Sequence, residues 1–257
     1  LDNPHVARYL VQQAKWMVES TGIDGLCLSG YPYVSRTALT SCLKDLHAEY
    51  PDMNIVGLDH MGNTVHTAAW QTDSRIKGQA DGYFDLLPDA TLSQAITTTA
   101  TEETQADNCG LNRVYNTLAC DLVYRAPHNL LVEYNEEQGR QAAIMALTLP
   151  RTPVFKAQPP SDMQKLLQWR RNSKAISRGI TTQFAPHSGI YAYFRRYGDQ
   201  RVLVLLNGTD GTVAADMAQY AEVTGSAQSG RDVLTGKTIE LTGSLSLSPR
   251  QGLVIEF

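Results

Sequence analysis

No run in the 257-residue chain approaches the roughly 18 consecutive apolar residues that a membrane span needs. The first residues lack a charged segment leading into an apolar one, so no export leader is written there. The chain starts on Leu1 rather than Met, as a processed or cut product does. A leader already removed therefore stays open, as do cytoplasmic, periplasmic and secreted locations for a soluble protein. Charge is sparse: charged residues are 19% and the formal net charge is -4, which gives no basic footprint for nucleic acid or an anionic membrane. The four cysteines, Cys27, Cys42, Cys109 and Cys120, have no CxxC spacing and no interleaved histidines. That pattern argues against zinc and reads as buried thiols, with disulfides the alternative. Neither a metal nor a cofactor is expected.

Hydrophobic residues are 42% of the chain, enough for an ample core without staples. Asn3 and Pro4 form a helix start, and Val6, Leu10, Ala14, Met17 and Val18 recur at helical spacing up to Gly22. An apolar strand at 25–28, a Tyr-Pro-Tyr loop and a helix over 36–49 with Leu39, Leu43 and Leu46 on one side follow. A second strand is expected at 54–58. Further strands are read at 83–87, 129–133 and 153–155, with helices over 91–104, 110–123 and 161–177. Continuous apolar strands separated by amphipathic helices imply a parallel sheet covered on both faces.

Near residue 180 the periodicity changes to alternation. Short strands at 190–194, 201–206, 232–234, 238–241, 245–247 and 252–257 are separated by turns such as Tyr197-Gly198-Asp199, Asn207-Gly208 and Thr235-Gly236-Lys237. They read as a small antiparallel sandwich. The expected organisation is an α/β domain over 1–180 and a β-sandwich domain over 181–257. No linker rich in Gly, Ser or Pro lies between them, so they are expected to pack together rigidly.

Several collinear stretches carry a resemblance. NPHVARYLVQQAKWMVESTGIDG, YPYVSRTALTSCLKDLHAEYPDMNIVG, FDLLPDATLSQAI and GLNRVYNTLACDLVYRAPHNLLVEYN are similar to the approaches to the fourth, fifth, sixth and seventh barrel strands of the α-amylase family, glycoside hydrolase family 13. QWRRNSKAISRGITTQFAPHSGIYAYFRRYGDQRVLVLLNGTD and DVLTGKTIEL resemble its last barrel helix and C-terminal sandwich, in the manner of the neopullulanase and cyclomaltodextrinase branch. The resemblance implies an incomplete (β/α)8-barrel-derived parallel sheet with a C-terminal antiparallel β-sandwich. The family's first three strands have no counterpart before Leu1, and the segment after Pro153 is shortened. About five βα units remain where a closed barrel has eight.

The family cleaves α-glycosidic bonds with retention, using a carboxylate nucleophile and a carboxylic acid about 5–5.5 Å apart. Where it has Arg, one residue and the nucleophilic Asp, this sequence has Cys27 and Ser29. Where it has Gly and the acid Glu, this sequence has Gly57-Leu58. The Asn-His-Asp triplet, aligned on Arg140, corresponds to Asn135-Glu136-Glu137. An unactivated hydroxyl cannot replace an ionised carboxylate, and leucine cannot donate a proton. Thus no catalytic carboxylate is intact at Ser29 or Leu58, and Glu137 alone survives in kind.

Each sharper reading has a plain one beside it. Asp59 with Glu133, Glu136 and Glu137 reads as a rearranged acid pair or as solvated loop, with strand alternation pointing Asp59 away from residue 58. His60 and His66 near Asp59 read as metal ligands or as surface loop. Tyr31, Tyr33 and Trp70, with Arg140, are the sugar-binding candidates, and the aromatics read equally as packing residues. Cys27 is a nucleophile or an inert thiol. The function implied is a carbohydrate-binding or interaction module of α-glucan metabolism, without activity of its own and taking α-glucan or maltooligosaccharide. The alternative is a retaining α-glucan hydrolase with unusual residues or completed by another polypeptide. Unguarded edges at 25–29 and 153–156 are expected to be covered by self-association or a partner chain.

Overall fold

A computed structural model describes residues 3–31, 34–58, 87–88, 92, 95–96, 111–112, 114–116, 130–134, 139–150, 152–155 and 161–257. The chain forms two compact units, residues 1–91 with 129–131, and residues 92–128 with 132–257.

In the first unit, helix α1 (Pro4–Thr21) starts where Asn3 Oδ1 accepts from the His5 N–H at 2.9 Å. It ends on Gly22 in the left-handed conformation, φ 68°, with the cap N–H bonded to the Val18 carbonyl. Strand β1 (Gly25–Ser29), helix α2 (Arg36–Glu49) and strand β2 (Asn54–Leu58) complete a βαβ unit. The two strands pair in parallel, Gly25 opposite Asn54 through Ser29 opposite Leu58. Leu39, Leu43 and Leu46 of α2 are buried, as their spacing predicts.

The face that α1 buries differs from the expectation. Val11, Ala14 and Val18 pack with Leu26, Leu28, Leu43 and Ile55, whereas Val6, Leu10 and Met17 are exposed. Two apolar stripes run along this helix, so spacing alone could not choose between them.

Strands β3 (Leu87–Pro88), β4 (Leu130–Tyr134) and β5 (Thr152–Phe155) form a three-stranded sheet in that order, with β3 and β4 parallel. The strand expected at 83–87 is described only at its end; its other residues lie outside the described ones. The helices expected over 91–104 and 110–123 are represented by helical residues at 92, 95–96, 111–112 and 114–116.

The second unit contains a helix that spacing did not disclose, α3 (Gly139–Thr148). Every residue from Gln141 to Thr148 is buried, so there is no polar face to generate a 3.6-residue period. The single helix expected over 161–177 is two, α4 (Ser161–Asn172) and α5 (Lys174–Arg178). The break at Ser173 is stabilised from a distance: Gln200 Oε1 accepts from the Lys174 and Ala175 N–H groups at 2.8 and 3.1 Å.

Strands β6 (Ile180–His187), β7 (Ile190–Tyr197), β8 (Gln200–Asn207), β9 (Val213–Asp216), β10 (Ser229–Asp232), β11 (Thr238–Glu240), β12 (Ser244–Leu247) and β13 (Gly252–Glu256) follow. Six make an antiparallel sheet in the order β11-β10-β13-β8-β7-β6, and β12 pairs with β9. The turn expected at Tyr197-Gly198-Asp199 closes a hairpin, with Gly198 at φ 56° between paired Tyr197 and Gln200. A second hairpin, not read from the sequence, turns on Ser188 and Gly189, both at positive φ, between paired His187 and Ile190.

The strand alternation divides the core. Ile190, Ala192, Phe194, Leu203, Leu205, Leu253 and Ile255 face a layer containing Ala215, Met217, Tyr220, Leu241 and Leu247. Tyr191, Tyr193, Val202, Val204, Leu206 and Val254 join the opposite cluster, with α3, Met163, Leu166 and Ile176. Gly179 sets the junction: a Cβ there would meet the carbonyl of Ala175 and, at 2.7 Å, that of Arg196. Any side chain would therefore push α5 off β7.

Tyr193 is fully buried, and its hydroxyl lies 2.5 Å from Thr148 Oγ1. Burial raises the phenols of both Tyr191 and Tyr193, while the Thr148 bond and the nearby Arg195 and Arg170 partly offset this at Tyr193. A raised folded value favours the folded state fully below the unfolded tyrosine value of about 10, and that contribution is lost as pH climbs through the folded value. The urea midpoint should accordingly hold steady to about pH 10 and fall above it, with a shallower fall in Tyr193→Phe. A midpoint unchanged up to about pH 11.5 would contradict the burial of these phenols.

Candidate functional site

The β1–β2 pair places the two positions singled out above side by side. Ser29 is the last residue of β1, Leu58 is the last of β2, and they are register partners. Neighbouring strands run about 4.8 Å apart, so the backbones of residues 29 and 58 lie next to each other, and neither residue is a carboxylate.

Local sequence explains how these ends are held. Leu26 and Leu28 turn to the cluster under α1 and α2, so alternation sends Cys27 and Ser29 to the other, exposed side. Gly30, φ 69°, takes the chain out of the strand directly after Ser29 in a conformation that favours glycine. Gly25 lets the strands approach at their start, since a Cβ there would lie 2.6 Å from the Asn54 carbonyl oxygen.

Cys27 is exposed, but desolvation by surrounding atoms pushes its thiol above the ordinary value. The thiolate is the nucleophilic form, and a raised pKa makes it scarcer at neutral pH. The exposure was not legible in the apolar run around it.

Tyr31 is 2% exposed and sits in the cluster with Leu39, Leu43 and Ile55. A ring so covered offers no face for a sugar to stack on. Arg140 is exposed in the first turn of α3. Glu133 lies on β4. Tyr33, Trp70, Asp59, His60, His66, Glu136 and Glu137 lie outside the described residues, as do Cys109 and Cys120. Among the described residues there is no group of three or more His, Cys, Asp or Glu able to hold a metal, and no helix long and apolar enough to cross a membrane.

Comparison with known proteins finds the same fold in solved structures. Residues 181–256 match the family model of the cyclo-malto-dextrinase C-terminal domain. The whole chain is similar in structure to CldA, a cyclomaltodextrin glucanotransferase with a three-domain ABC distribution, at 16% identity and TM-score 0.75, covering 99% of this chain and 60% of that one. It is also similar to the α-amylase of Geobacillus thermoleovorans, solved with acarbose, at 16% identity and TM-score 0.72, covering 99% and 64%. A third similar structure is the cyclic α-maltosyl-(1→6)-maltose hydrolase of Arthrobacter globiformis, solved with that cyclic sugar, at 15% identity and TM-score 0.67, covering 100% and 61%. The chain thus spans about three fifths of the length of these solved relatives.

Proposed function

We propose that this chain serves α-glucan metabolism as a binding or interaction module that does not itself cleave glycosidic bonds. The observation that carries this reading is the register pairing of Ser29 with Leu58 at the ends of parallel β1 and β2. The resemblance assigns these two neighbouring positions to a nucleophile and an acid, and neither residue is a carboxylate. On this reading residues 1–180 are a partial barrel of about five βα units, against eight in a closed one, and residues 181–257 are its sandwich domain.

The ligand class follows from relatives solved with acarbose and with a cyclic maltosyl sugar. Maltooligosaccharide is therefore the proposed ligand, with Tyr33, Trp70 and Arg140 as the contacts. A stacking aromatic buries a large apolar face against a sugar ring at little entropic cost. Calorimetric titration with maltoheptaose should give saturable heat, weakened about tenfold or more in Trp70→Ala, equivalent to roughly 1.4 kcal/mol. Absence of heat at millimolar sugar would overturn the ligand assignment.

A second reading has its own support. The fold of this chain is found along nearly its full length in an α-amylase and a cyclomaltodextrin glucanotransferase, so a polypeptide supplying further strands would give an α-glucan hydrolase scaffold. Even then, Ser29 and Leu58 would need substitutes for the two carboxylates.

A further inference from the structure

Two arginines stand opposite each other on the sandwich sheet. Arg196 of β7 and Arg201 of β8 are register partners across their hairpin. Side chains so placed have Cβ atoms about 4.5–5.5 Å apart, and like charges in that position destabilise a sheet. Among the described residues neither arginine makes an ion pair, and the Arg201 guanidinium makes no hydrogen bond. Arg196 uses only its Nε, which donates to the Gly198 carbonyl at 3.3 Å.

Both line a pocket of about 520 Å³, together with Ile180, Thr182, Phe194, Glu222 and Val223. That volume lies within the roughly 300–1,000 Å³ of small-molecule sites. Strand alternation builds one wall. Phe194 and Leu203 belong to the core shared with β9 and β12, and Arg196 and Arg201 occupy the next row on the same face. Thr182 and Ile180 extend these two rows on β6, opposite Phe194 and Arg196. The other wall is the short helix α6 (Ala221–Thr224), which carries Glu222 and Val223. Gly225 ends that helix at φ 61°, and Arg201 Nη1 lies 3.7 Å from where a Cβ on it would stand, which places this guanidinium between sheet and helix. The whole lining falls within residues 180–225, on the sheet face turned away from α3, α4 and α5.

We propose that this pocket binds a sugar phosphate, a monoester with a single anionic end and a hydroxylated body. Guanidinium forks match phosphoryl oxygens two at a time. Two forks on neighbouring strands present more N–H donors than the two oxygens of a carboxylate ligand can take up, whereas a phosphoryl group brings three oxygens and a charge near -2. Glu222 selects the other end of the ligand. A carboxylate in the same pocket repels a second phosphate, which disfavours di- and triphosphates and polyanions, yet it accepts hydrogen bonds from hydroxyls. The Thr182 hydroxyl adds a donor and an acceptor for the same groups. Phe194, Ile180 and Val223 supply apolar surface for the carbon face of the ring. The site lies in the sandwich and does not rest on the maltooligosaccharide reading.

Calorimetric titration of the full chain at fixed ionic strength should give saturable heat with glucose 6-phosphate, with a dissociation constant on the order of 100 µM. Inorganic phosphate and glucose should each bind about tenfold or more weakly than the ester. Arg196→Gln and Arg201→Gln should each weaken the ester by about tenfold or more. Arg196 is exposed, so its replacement should leave circular dichroism unchanged and keep the test separate from folding. Glu222→Gln should weaken the ester while leaving inorganic phosphate as tight as before or tighter. Absence of heat at about 10 mM ester, binding indifferent to Arg196→Gln, or inorganic phosphate bound as tightly as the ester would each overturn the proposal.

Discussion

Asn207→Ala should lower unfolding free energy by about 2–3 kcal/mol, a loss of roughly 5–10 °C in Tm for a chain of this size. Asn207 is completely buried at the end of β8. Its Nδ2 donates to the carbonyls of Gly211 and Ser248, each at 2.8 Å, and its Oδ1 accepts from the Thr209 N–H and Oγ1, also at 2.8 Å. Its backbone carbonyl accepts from Gln141 Nε2 at 2.6 Å, which ties α3 to the sheet. Truncation leaves two carbonyls and an amide N–H without these partners; Gly211 and Ser248 are exposed and Thr209 is half-buried, so water makes good part of the loss and each group costs about 1 kcal/mol. Asn207→Asp, nearly isosteric, should also destabilise, because it loses the amide donor and turns a carboxylate toward two carbonyls. Urea unfolding checks both; a loss below about 1 kcal/mol for Asn207→Ala would refute this accounting.

The purified chain should release no reducing sugar from starch, pullulan or cyclodextrin above the buffer rate. Each general acid or nucleophile of a retaining pair accounts for about 10²–10⁴ in rate or more, and the effects are not simply additive. Ser29 has a hydroxyl with no carboxylate's capacity to stabilise an oxocarbenium-like centre, and Leu58 has no proton to give. On the proposed reading, loss of both positions removes the chemistry even where binding remains. Turnover that survives Glu137→Gln and rigorous repurification would show that other groups do the work.

The particular residues show where sequence sufficed. Asn3-Pro4 and Gly22 bounded α1 because caps act locally, and β7 alternated visibly because its two faces meet different layers. The same local logic failed for α3, whose uniform burial erases periodicity, and for α1, whose two apolar stripes compete. Asn207-Gly208 reads as a turn, yet Asn207 is a buried hub whose partners at 248 and 251 are distant in sequence. Strands β6 and β9 and the extent of β10 likewise depend on pairing that no local signal specifies. At the candidate site, the positions 29 and 58 came from the collinear resemblance, and the register supplied what sequence could not: that they are neighbours. The exposure of Cys27 and the burial of Tyr31 depend on tertiary packing.

The central proposal is that this chain holds a maltooligosaccharide without cutting it. The direct measurement is a titration of maltoheptaose to saturation in the calorimeter, followed by prolonged incubation and mass spectrometry of the sugar recovered from the same sample. Saturable heat with maltoheptaose recovered intact is the result predicted. Shorter maltooligosaccharides, accumulating in proportion to protein concentration, would contradict it.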